Sequence, residues 1–254
     1  MITVVPICIQ TNYAYILHKV GSTNCLIVDP TSSEPILSYL EQNNLTPLGV
    51  ICLHRHPDHI SGVFDLSEDF PEMTIFCPLL NFCDRPVTVL QDLQEFFVAD
   101  IHCKLIHSPG HTRESSLLFC TDETQDLLFT SDTLFHMGCG RLFESKDDPS
   151  IMYSSLNKIL RFPPDTLLFF GHDYSVKNIY FTLSVDDSDE VKQHLRTLPT
   201  SMEERCCFPL SLEKRLNPFL RIVSDSEFRD CVLDKKDADP VEAFTKLRSL
   251  RDCH

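Results

Sequence analysis

The feature that most constrains the fold is a run of histidine and aspartate directly after an apolar segment. Residues 49–53 read Gly-Val-Ile-Cys-Leu, with the length and branching of a buried strand. His54, His56, Asp58 and His59 follow within six positions. Because residues two apart in an extended segment share a face, His54 and His56 can point at one metal ion, while the turn beyond aims Asp58 and His59 at a second point nearby. A histidine-rich surface loop would account for any one of these residues, but poorly for all four.

Three further candidate ligands each come at or shortly after the end of a strand-like apolar segment: His111, Asp132 and His172. Each alone is better explained as a turn or capping residue, but all three in this order behind the first four indicate a site. Imidazole and carboxylate ligands suit zinc, iron or manganese. The other histidines are interpreted as ordinary core or surface residues, and His136 is left unassigned although it lies near Asp132 in sequence: His18, His102, His107, His194 and His254.

The order of the predicted elements indicates an α+β fold. Short strands dominate the first 170 residues, and helices are few. One begins at Ser32 or Ser33 with a buried stripe that runs to Leu40, another covers residues 150–160, and both lie between strands without regular alternation. This pattern suits two packed sheets with helices outside, an αββα sandwich, although periodicity alone leaves other α+β layouts open. Beyond residue 174 the apolar residues become helix-spaced and prolines punctuate the chain. We therefore expect a catalytic domain over residues 1–173 and a small helical domain over residues 174–254.

Composition narrows the class of protein. The formal net charge of -15 argues against nucleic acid as a partner, because phosphate binding requires a basic surface. No apolar run approaches the ~18 residues of a membrane span, and the first residues read as a strand rather than as a targeting segment. The twelve cysteines include no Cys-x-x-Cys pair, so reduced thiols in the cytoplasm are expected. We expect a monomer, because the sequence shows no apolar patch typical of a subunit interface.

The run from His54 to His59 resembles the His-x-His-x-Asp-His signature of the metallo-β-lactamase superfamily. The resemblance implies the αββα fold and two metal ions with a hydroxide between them. By the superfamily pattern His54, His56 and His111 hold one ion. Asp58, His59 and His172 hold the second ion, and Asp132 bridges the two ions. Zinc is the favoured metal, with iron or manganese as alternatives.

Residues 131–144, Ser-Asp-Thr-Leu-Phe-His-Met-Gly-Cys-Gly-Arg-Leu-Phe-Glu, are similar to a stretch of the glyoxalase II (hydroxyacylglutathione hydrolase) family. Asn217-Pro218-Phe219 and residues 248–252 match that family too, so the resemblance covers both predicted domains. It implies that five residues contact the glutathione part of the substrate: Arg141, Phe143, Tyr174, Arg248 and Arg251. Ser131 departs from the family pattern, which has glycine there, and Phe143 stands where many members have tyrosine.

The resemblance implies hydrolysis of S-D-lactoylglutathione to glutathione and D-lactate, the second step of methylglyoxal detoxification. In this scheme Asp132 bridges the metals, and Asp58 orients the attacking water or takes its proton. The nearest alternative is a mononuclear iron persulfide dioxygenase acting on glutathione persulfide, which resembles the chain around residues 138–141 and 172–174 but lacks the long helical C-terminal region. A metal-site protein that only binds is a third reading, which seven intact ligands disfavour.

Overall fold

The computed structural model describes residues 1–78, 85–122 and 124–254. Its strands, in chain order, are β1 (Ile2–Ile9), β2 (Asn12–Lys19), β3 (Asn24–Val28), β4 (Thr46–Ile51), β5 (Thr74–Cys77), β6 (Val87–Val89), β7 (Glu95–Val98), β8 (Ile101–His107), β9 (Ser116–Thr121), β10 (Asp126–Ser131), β11 (Leu134–Phe135), β12 (Gly138–Cys139), β13 (Leu167–Phe170) and β14 (Cys207–Pro209). Its helices are α1 (Ser33–Asn43), α2 (Pro57–Ile60), α3 (Gly62–Asp69), α4 (Ser150–Ile159), α5 (Ser175–Val185), α6 (Asp189–Thr197), α7 (Leu210–Leu216), α8 (Pro218–Ser224), α9 (Ser226–Leu233) and α10 (Pro240–Cys253).

Two six-stranded sheets form the centre of the molecule. The first has the order β1-β2-β3-β4-β5-β6 and the second the order β14-β13-β10-β9-β8-β7, while β11 and β12 form a separate hairpin. Alternation along β2 explains why both faces of the first sheet are covered: Tyr15 and Leu17 face one apolar cluster, and Ala14 and Ile16 face another. The expected sandwich of two sheets with helices outside is therefore confirmed.

Three large apolar clusters fill the space between the two sheets and the space between each sheet and its outer helices. The inner cluster joins the facing sides of the two sheets and includes Leu26, Leu118 and Phe129. A second cluster packs α1 and α3 on the outside of the first sheet. The third covers the outside of the second sheet with side chains from α4, α8 and α10, including Phe219 and Phe244. The C-terminal helices thus share a core with the second sheet.

The C-terminal region departs from the sequence expectation in two places. It is not wholly helical, because Cys207–Pro209 pairs with β13 as the edge strand β14 of the second sheet. Three apolar residues are too short a run to predict a strand. The helical spacing of α10 predicts that Phe244, Leu247 and Leu250 are buried; the first two are, but Leu250 is 38% exposed. The inward face of that helix continues through Arg248 rather than Leu250.

Buried polar contacts attach the β11–β12 hairpin to the C-terminal helices. Glu213 of α7 hydrogen-bonds the His136 ring and accepts a hydrogen bond from Met137 N at 3.0 Å. Asn217, at the start of α8, donates to the carbonyl of Gly138 at 3.1 Å. Because these groups are buried, each unpaired partner would cost about 1–3 kcal/mol. The contacts fix the segment that leads from Asp132 to Arg141.

No helix in the part of the chain that the structure describes is long and apolar enough to cross a membrane. Nine cysteines are free thiols there: Cys8, Cys25, Cys103, Cys120, Cys139, Cys206, Cys207, Cys231 and Cys253. Cys83 lies outside the described residues.

The shared core predicts that the sheets and the C-terminal helices unfold together. Phe244 is fully buried and its ring contacts Tyr153 of α4 and Phe219 of α8. Replacing it by alanine should lower the free energy of unfolding by about 3–5 kcal/mol, because the transfer energy is lost and a cavity remains. Urea unfolding followed by circular dichroism should show one transition that moves as a whole. Leu250→Ala, on the exposed side of the same helix, is the control, and a separate early transition in Phe244→Ala would contradict the shared core.

Candidate metal centre

All seven candidate ligands lie at one edge of the sandwich. His54 and His56 lie in the loop after β4, and Asp58 and His59 lie in the short helix α2. β4 ends at Ile51, so His54 and His56 lie beyond the strand rather than within it. Their rings nevertheless converge, with centroids 4.8 Å apart. The other three ligands follow strands of the second sheet, as the sequence indicated: His111 after β8, Asp132 after β10 and His172 after β13.

The seven side chains form two groups around Asp132. In the first, His54, His56, His111 and Asp132 have ligand atoms within 4.8 Å of one another. His111 Nε2 lies 2.9 Å from His56 Nδ1 and 3.3 Å from Asp132 Oδ2. Asp132 is thus placed against a set of imidazole nitrogens rather than against solvent.

The second group consists of Asp58, His59 and His172, whose ligand atoms also lie within 4.8 Å of one another. His59 Nε2 is 3.2 Å from His172 Nε2, and His172 Nε2 is 3.4 Å from Asp132 Oδ2. Asp132 therefore contacts both groups, which is the position that a bridging ligand requires. Asp58 differs from the rest in being half exposed, with 50% of its side chain accessible.

The arrangement fits metal ions better than it fits a closed hydrogen-bond network. His54 Nε2 and Asp132 Oδ1 are buried without a hydrogen-bond partner, and a buried polar atom left unpaired is costly. In a tetrahedral zinc site with Zn–N of about 2.0–2.1 Å, neighbouring ligand nitrogens lie roughly 3.3 Å apart. The nitrogen pairs of this cluster, at 2.9 and 3.2 Å, are close to that spacing. The donor set also suits first-row divalent metals.

The pKa shifts of His54, His111 and Asp132 suit metal ligands. Burial lowers the pKa of His54 well below its usual range and, more weakly, the pKa of His111, so both rings are neutral donors near neutrality. Burial alone would raise the pKa of Asp132. The neighbouring His59 and His172 outweigh that effect and hold this pKa well below the usual range, so Asp132 is an ionised ligand.

Hydrogen bonds from outside orient the buried histidines. The ring nitrogen that faces away from the cluster has a partner in each case: His54 Nδ1 with Ser131 Oγ at 3.2 Å, His59 Nδ1 with Asp29 Oδ2 at 3.1 Å, His111 Nδ1 with the Arg141 carbonyl at 3.0 Å and His172 Nδ1 with Thr11 Oγ1 at 3.4 Å. Such partners fix the ring and leave the other nitrogen free for a metal. Asp29, Ser131 and Thr11 were missed at the sequence level, because no local pattern links them to the ligands.

A cavity of about 760 Å³ opens from the cluster toward the C-terminal helices. His111 and Asp132 line its inner end. All five residues that the family resemblance assigned to substrate line the cavity: Arg141, Phe143, Tyr174, Arg248 and Arg251. Three of its lining residues from α5 were missed: Lys177, Asn178 and Tyr180. Lys177 and Asn178 lie three and four residues after Tyr174, and Tyr180 lies three residues after Lys177. These spacings would have predicted neighbours on one helix surface. His254, interpreted as an ordinary residue, also lines the cavity.

The five assigned residues differ in how far they are free to meet a ligand. Arg141 is exposed and lies 3.7 Å from Asp252. Arg248 is only 4% exposed and donates to the Cys139 carbonyl and to Asp252, so its guanidinium is already engaged by the protein. Arg251 donates to Asn178 Oδ1 through Nε and one terminal nitrogen, which leaves the other terminal nitrogen available.

The two aromatic residues lie against the ligand histidines. The Phe143 ring is 5.3 Å from the His56 ring and 5.2 Å from the His111 ring, and it is 52% exposed. Tyr174 stacks on His172 with ring centroids 4.8 Å apart. Both therefore border the inner end of the cavity beside the metal ligands.

Comparison with known proteins agrees with the fold. The family model described as "Metallo-beta-lactamase superfamily" matches residues 8–172. Among solved structures, a metallo-β-lactamase from Staphylococcus aureus is 19% identical with a TM-score of 0.69, covering 99% of this chain and 71% of that chain. ETHE1 from Myxococcus xanthus is 22% identical with a TM-score of 0.69, covering 97% and 90%. The chain is a member of the metallo-β-lactamase superfamily.

More specific matches extend over the C-terminal helices. The model described as "Hydroxyacylglutathione hydrolase C-terminus" matches residues 173–254. A hydroxyacylglutathione hydrolase from Vibrio cholerae is 33% identical over 95% of this chain and 94% of its own length, and one from Vibrio parahaemolyticus is 31% identical over the same shares. Within the superfamily, the chain belongs to the hydroxyacylglutathione hydrolase family.

The close approach of Gly171 to Asp132 predicts how the cluster can be disturbed without touching a ligand. A Cβ atom at position 171 would lie 2.4 Å from Asp132 Oδ1 and 3.0 Å from His59 Cε1. Gly171→Ala should therefore displace both ligands and weaken Zn²⁺ binding about 10- to 100-fold, as disturbance of the residues behind a ligand does. Competition with a chelating dye measures this. Gly21→Ala, where no atom lies within 4 Å, is the control, and unchanged zinc affinity in Gly171→Ala would contradict the assignment.

Proposed function

We propose that the chain is a metal-dependent thioesterase that hydrolyses S-D-lactoylglutathione, and related S-2-hydroxyacylglutathiones, to glutathione and the hydroxy acid. For S-D-lactoylglutathione the acid is D-lactate, so the reaction is the second step of methylglyoxal detoxification. The observation that carries the proposal is that the His/Asp cluster opens into a cavity lined by four cationic side chains: Arg141, Lys177, Arg248 and Arg251. On a chain of net charge -15, this local cation cluster suits an anionic substrate. The two hydroxyacylglutathione hydrolases from Vibrio named above support the same reaction.

The proposed ligand set is the one that the superfamily pattern implies. His54, His56 and His111 would hold one ion. The ligands of the second ion would be Asp58, His59 and His172, with Asp132 shared between the two. Zinc is the proposed metal, and iron and manganese are the alternatives that the same donors accept. The unpaired His54 Nε2 and the short distances between imidazole nitrogens support this assignment.

When bound, the metal ions would supply Lewis acidity and lower the pKa of water, which is the chemistry that thioester hydrolysis needs. The protein's own part is orientation and proton handling. Asp58 is the proposed proton acceptor, because it is the one half-exposed carboxylate of the cluster and Asn12 Nδ2 holds its Oδ2 at 3.0 Å. The leaving thiolate has a conjugate-acid pKa near ~8.5, so the site needs no strong general acid.

The cavity side chains would recognise the thiol carrier. Arginine binds carboxylates through paired hydrogen bonds, and glutathione thioesters carry carboxylates. Arg141 and Arg251 are the proposed contacts, since each keeps donors free, and Tyr174 and Phe143 would border the acyl end. Arg248, with its donors engaged by Cys139 and Asp252, would act mainly by holding this wall of the cavity.

We also propose different roles for the two segments of the chain. Residues 1–173 would form the catalytic domain and residues 174–254 the substrate-binding domain, because the ligands come from the first segment and the cavity wall formed by α5 and α10 from the second. A cytoplasmic monomer without nucleic-acid or membrane partners is proposed from the charge of -15 and the free thiols. The iron dioxygenase alternative is disfavoured, because Asp58, His59 and His172 provide ligands for a second ion.

The bridging role predicts the effect of neutralising Asp132. Asp132→Asn should lower kcat for S-D-lactoylglutathione on the order of 10²–10³-fold, because several kcal/mol of charge stabilisation depend on both ions. Bound metal per chain should fall in the same variant. Asp187→Asn removes an equal charge from a side chain that is 75% exposed and should change neither quantity. Full turnover in Asp132→Asn would refute the dinuclear scheme.

The proposed carboxylate contact predicts a change in binding rather than in chemistry for Arg251. Arg251→Gln should raise KM for S-D-lactoylglutathione about tenfold with kcat nearly unchanged, since the lost contact is made equally in the ground state and the transition state. Steady-state kinetics at low salt measure the split. Arg196→Gln, an exposed arginine on α6, controls for net charge. A fall in kcat at unchanged KM would show that Arg251 does not serve substrate binding.

A further inference from the structure

Ser131 has an unusual backbone conformation at the end of β10. Its φ of +46° lies in the left-handed region, which glycine adopts freely and serine does not. The pairing of β10 with β13 shifts register between Phe129 and Ser131, so the strand ends in an irregular turn there. Ser131 is also 5% exposed. A residue other than glycine at this position therefore strains the backbone, so a contact of its hydroxyl is the feature that the serine adds.

The hydroxyl links a carboxylate to a candidate metal ligand. Ser131 Oγ donates a hydrogen bond to Asp29 Oδ2 at 2.5 Å and lies 3.2 Å from His54 Nδ1. A serine hydroxyl has one proton to donate. Because Ser131 donates that proton to Asp29, its oxygen can only accept a hydrogen bond from His54. His54 must then carry its proton on Nδ1. The lone pair of His54 Nε2, which is buried without a partner, is consequently directed into the cluster.

The same Asp29 carboxylate reaches the other half of the cluster. Its Oδ2 lies 3.1 Å from His59 Nδ1, and its Oδ1 accepts a hydrogen bond from Leu53 N at 2.8 Å, just before His54 in the chain. Asp29 thus contacts His59 directly and His54 through Ser131. One carboxylate therefore anchors a ligand from each of the two groups.

We propose that Ser131 is a positioning residue that holds His54 in its Nδ1-protonated form and couples it to the Asp29–His59 pair, so that both groups of metal ligands are oriented together. This inference rests on the proposed metal centre but not on the thioesterase reaction. A glycine at position 131 would remove the backbone strain and, with it, the only side-chain atom that bonds His54 Nδ1 within the described residues. Ser131 thus strains the backbone but orients His54.

The test uses Ser131→Gly and Ser131→Ala in the full chain, with Zn²⁺ alone as the probe. Competition with a chelating dye should give a dissociation constant for Zn²⁺ about 10- to 100-fold higher in both variants, as loss of an orienting partner does. The metal-free Ser131→Gly chain should meanwhile melt at the same or a higher temperature than the parent chain, because its left-handed backbone is relaxed. Asn44→Gly is the matched control: it relieves a φ of +53° at the end of α1, outside the cluster, and should leave zinc affinity unchanged.

A second readout examines the hydrogen bond itself. Imidazole ¹⁵N chemical shifts of metal-free protein should place the His54 proton on Nδ1 in the parent chain and show mixed protonation in Ser131→Ala. Unchanged zinc affinity in both variants would overturn the proposal, as would a His54 proton on Nε2 in the parent chain. A loss of zinc binding fully matched by destabilisation of the metal-free chain would also overturn it, because the role would then be structural. Failure of the parent chain to hydrolyse the thioester would refute the proposed function while leaving these measurements informative.

Discussion

The structure depends on the burial of the Asp132 carboxylate at the edge where the two sheets meet their loops. A carboxylate with 7% exposure is costly unless it is paired. Here the compensation comes from imidazoles brought in by segments far apart in sequence: His59 Nε2 at 3.3 Å, His111 Nε2 at 3.3 Å and His172 Nε2 at 3.4 Å. His54 Nε2, which is buried without a hydrogen-bond partner, is the group that these contacts leave unsatisfied, as expected of a ligand to a cation.

The rest of the fold brings backbone close enough to make that arrangement possible. Gly140 and Gly171 border Asp132 so tightly that a Cβ atom on either would lie 1.9 Å from its carbonyl oxygen or 2.4 Å from its Oδ1, respectively. The segment between Asp132 and Gly140 is held from behind by Glu213 and Asn217 in the C-terminal helices. The C-terminal region therefore both lines the cavity, through α5 and α10, and supports the segment that carries Asp132, through Glu213 and Asn217. Under the proposed function, substrate recognition and metal geometry would depend on the same region of the chain.

The clustering of the seven candidate ligands could be predicted from the sequence because their signal is local. Seven metal-capable residues follow strand-like segments, and strand ends in such sheets are where side chains converge, so the layers and the ligand cluster could be predicted. Contacts between distant segments carried no such signal. The bonds of Ser131 to Asp29 and His54, the placement of Lys177 in the cavity and the three-residue strand β14 all depend on tertiary packing. Arg248 illustrates the same limit, since its position in the cavity was expected but its engagement by Cys139 and Asp252 was not.

The proposed function requires the cluster to be a two-metal centre for thioester hydrolysis. A titration of chelator-treated, metal-free chain with Zn²⁺, following bound metal and the rate of S-D-lactoylglutathione hydrolysis together, tests this. Turnover should appear with metal, reach its maximum at about two ions per chain as in dinuclear hydrolases, and be lost again on chelation. A fully loaded chain without thioesterase activity would contradict it. Oxygen consumption with glutathione persulfide at one iron per chain would instead favour the dioxygenase.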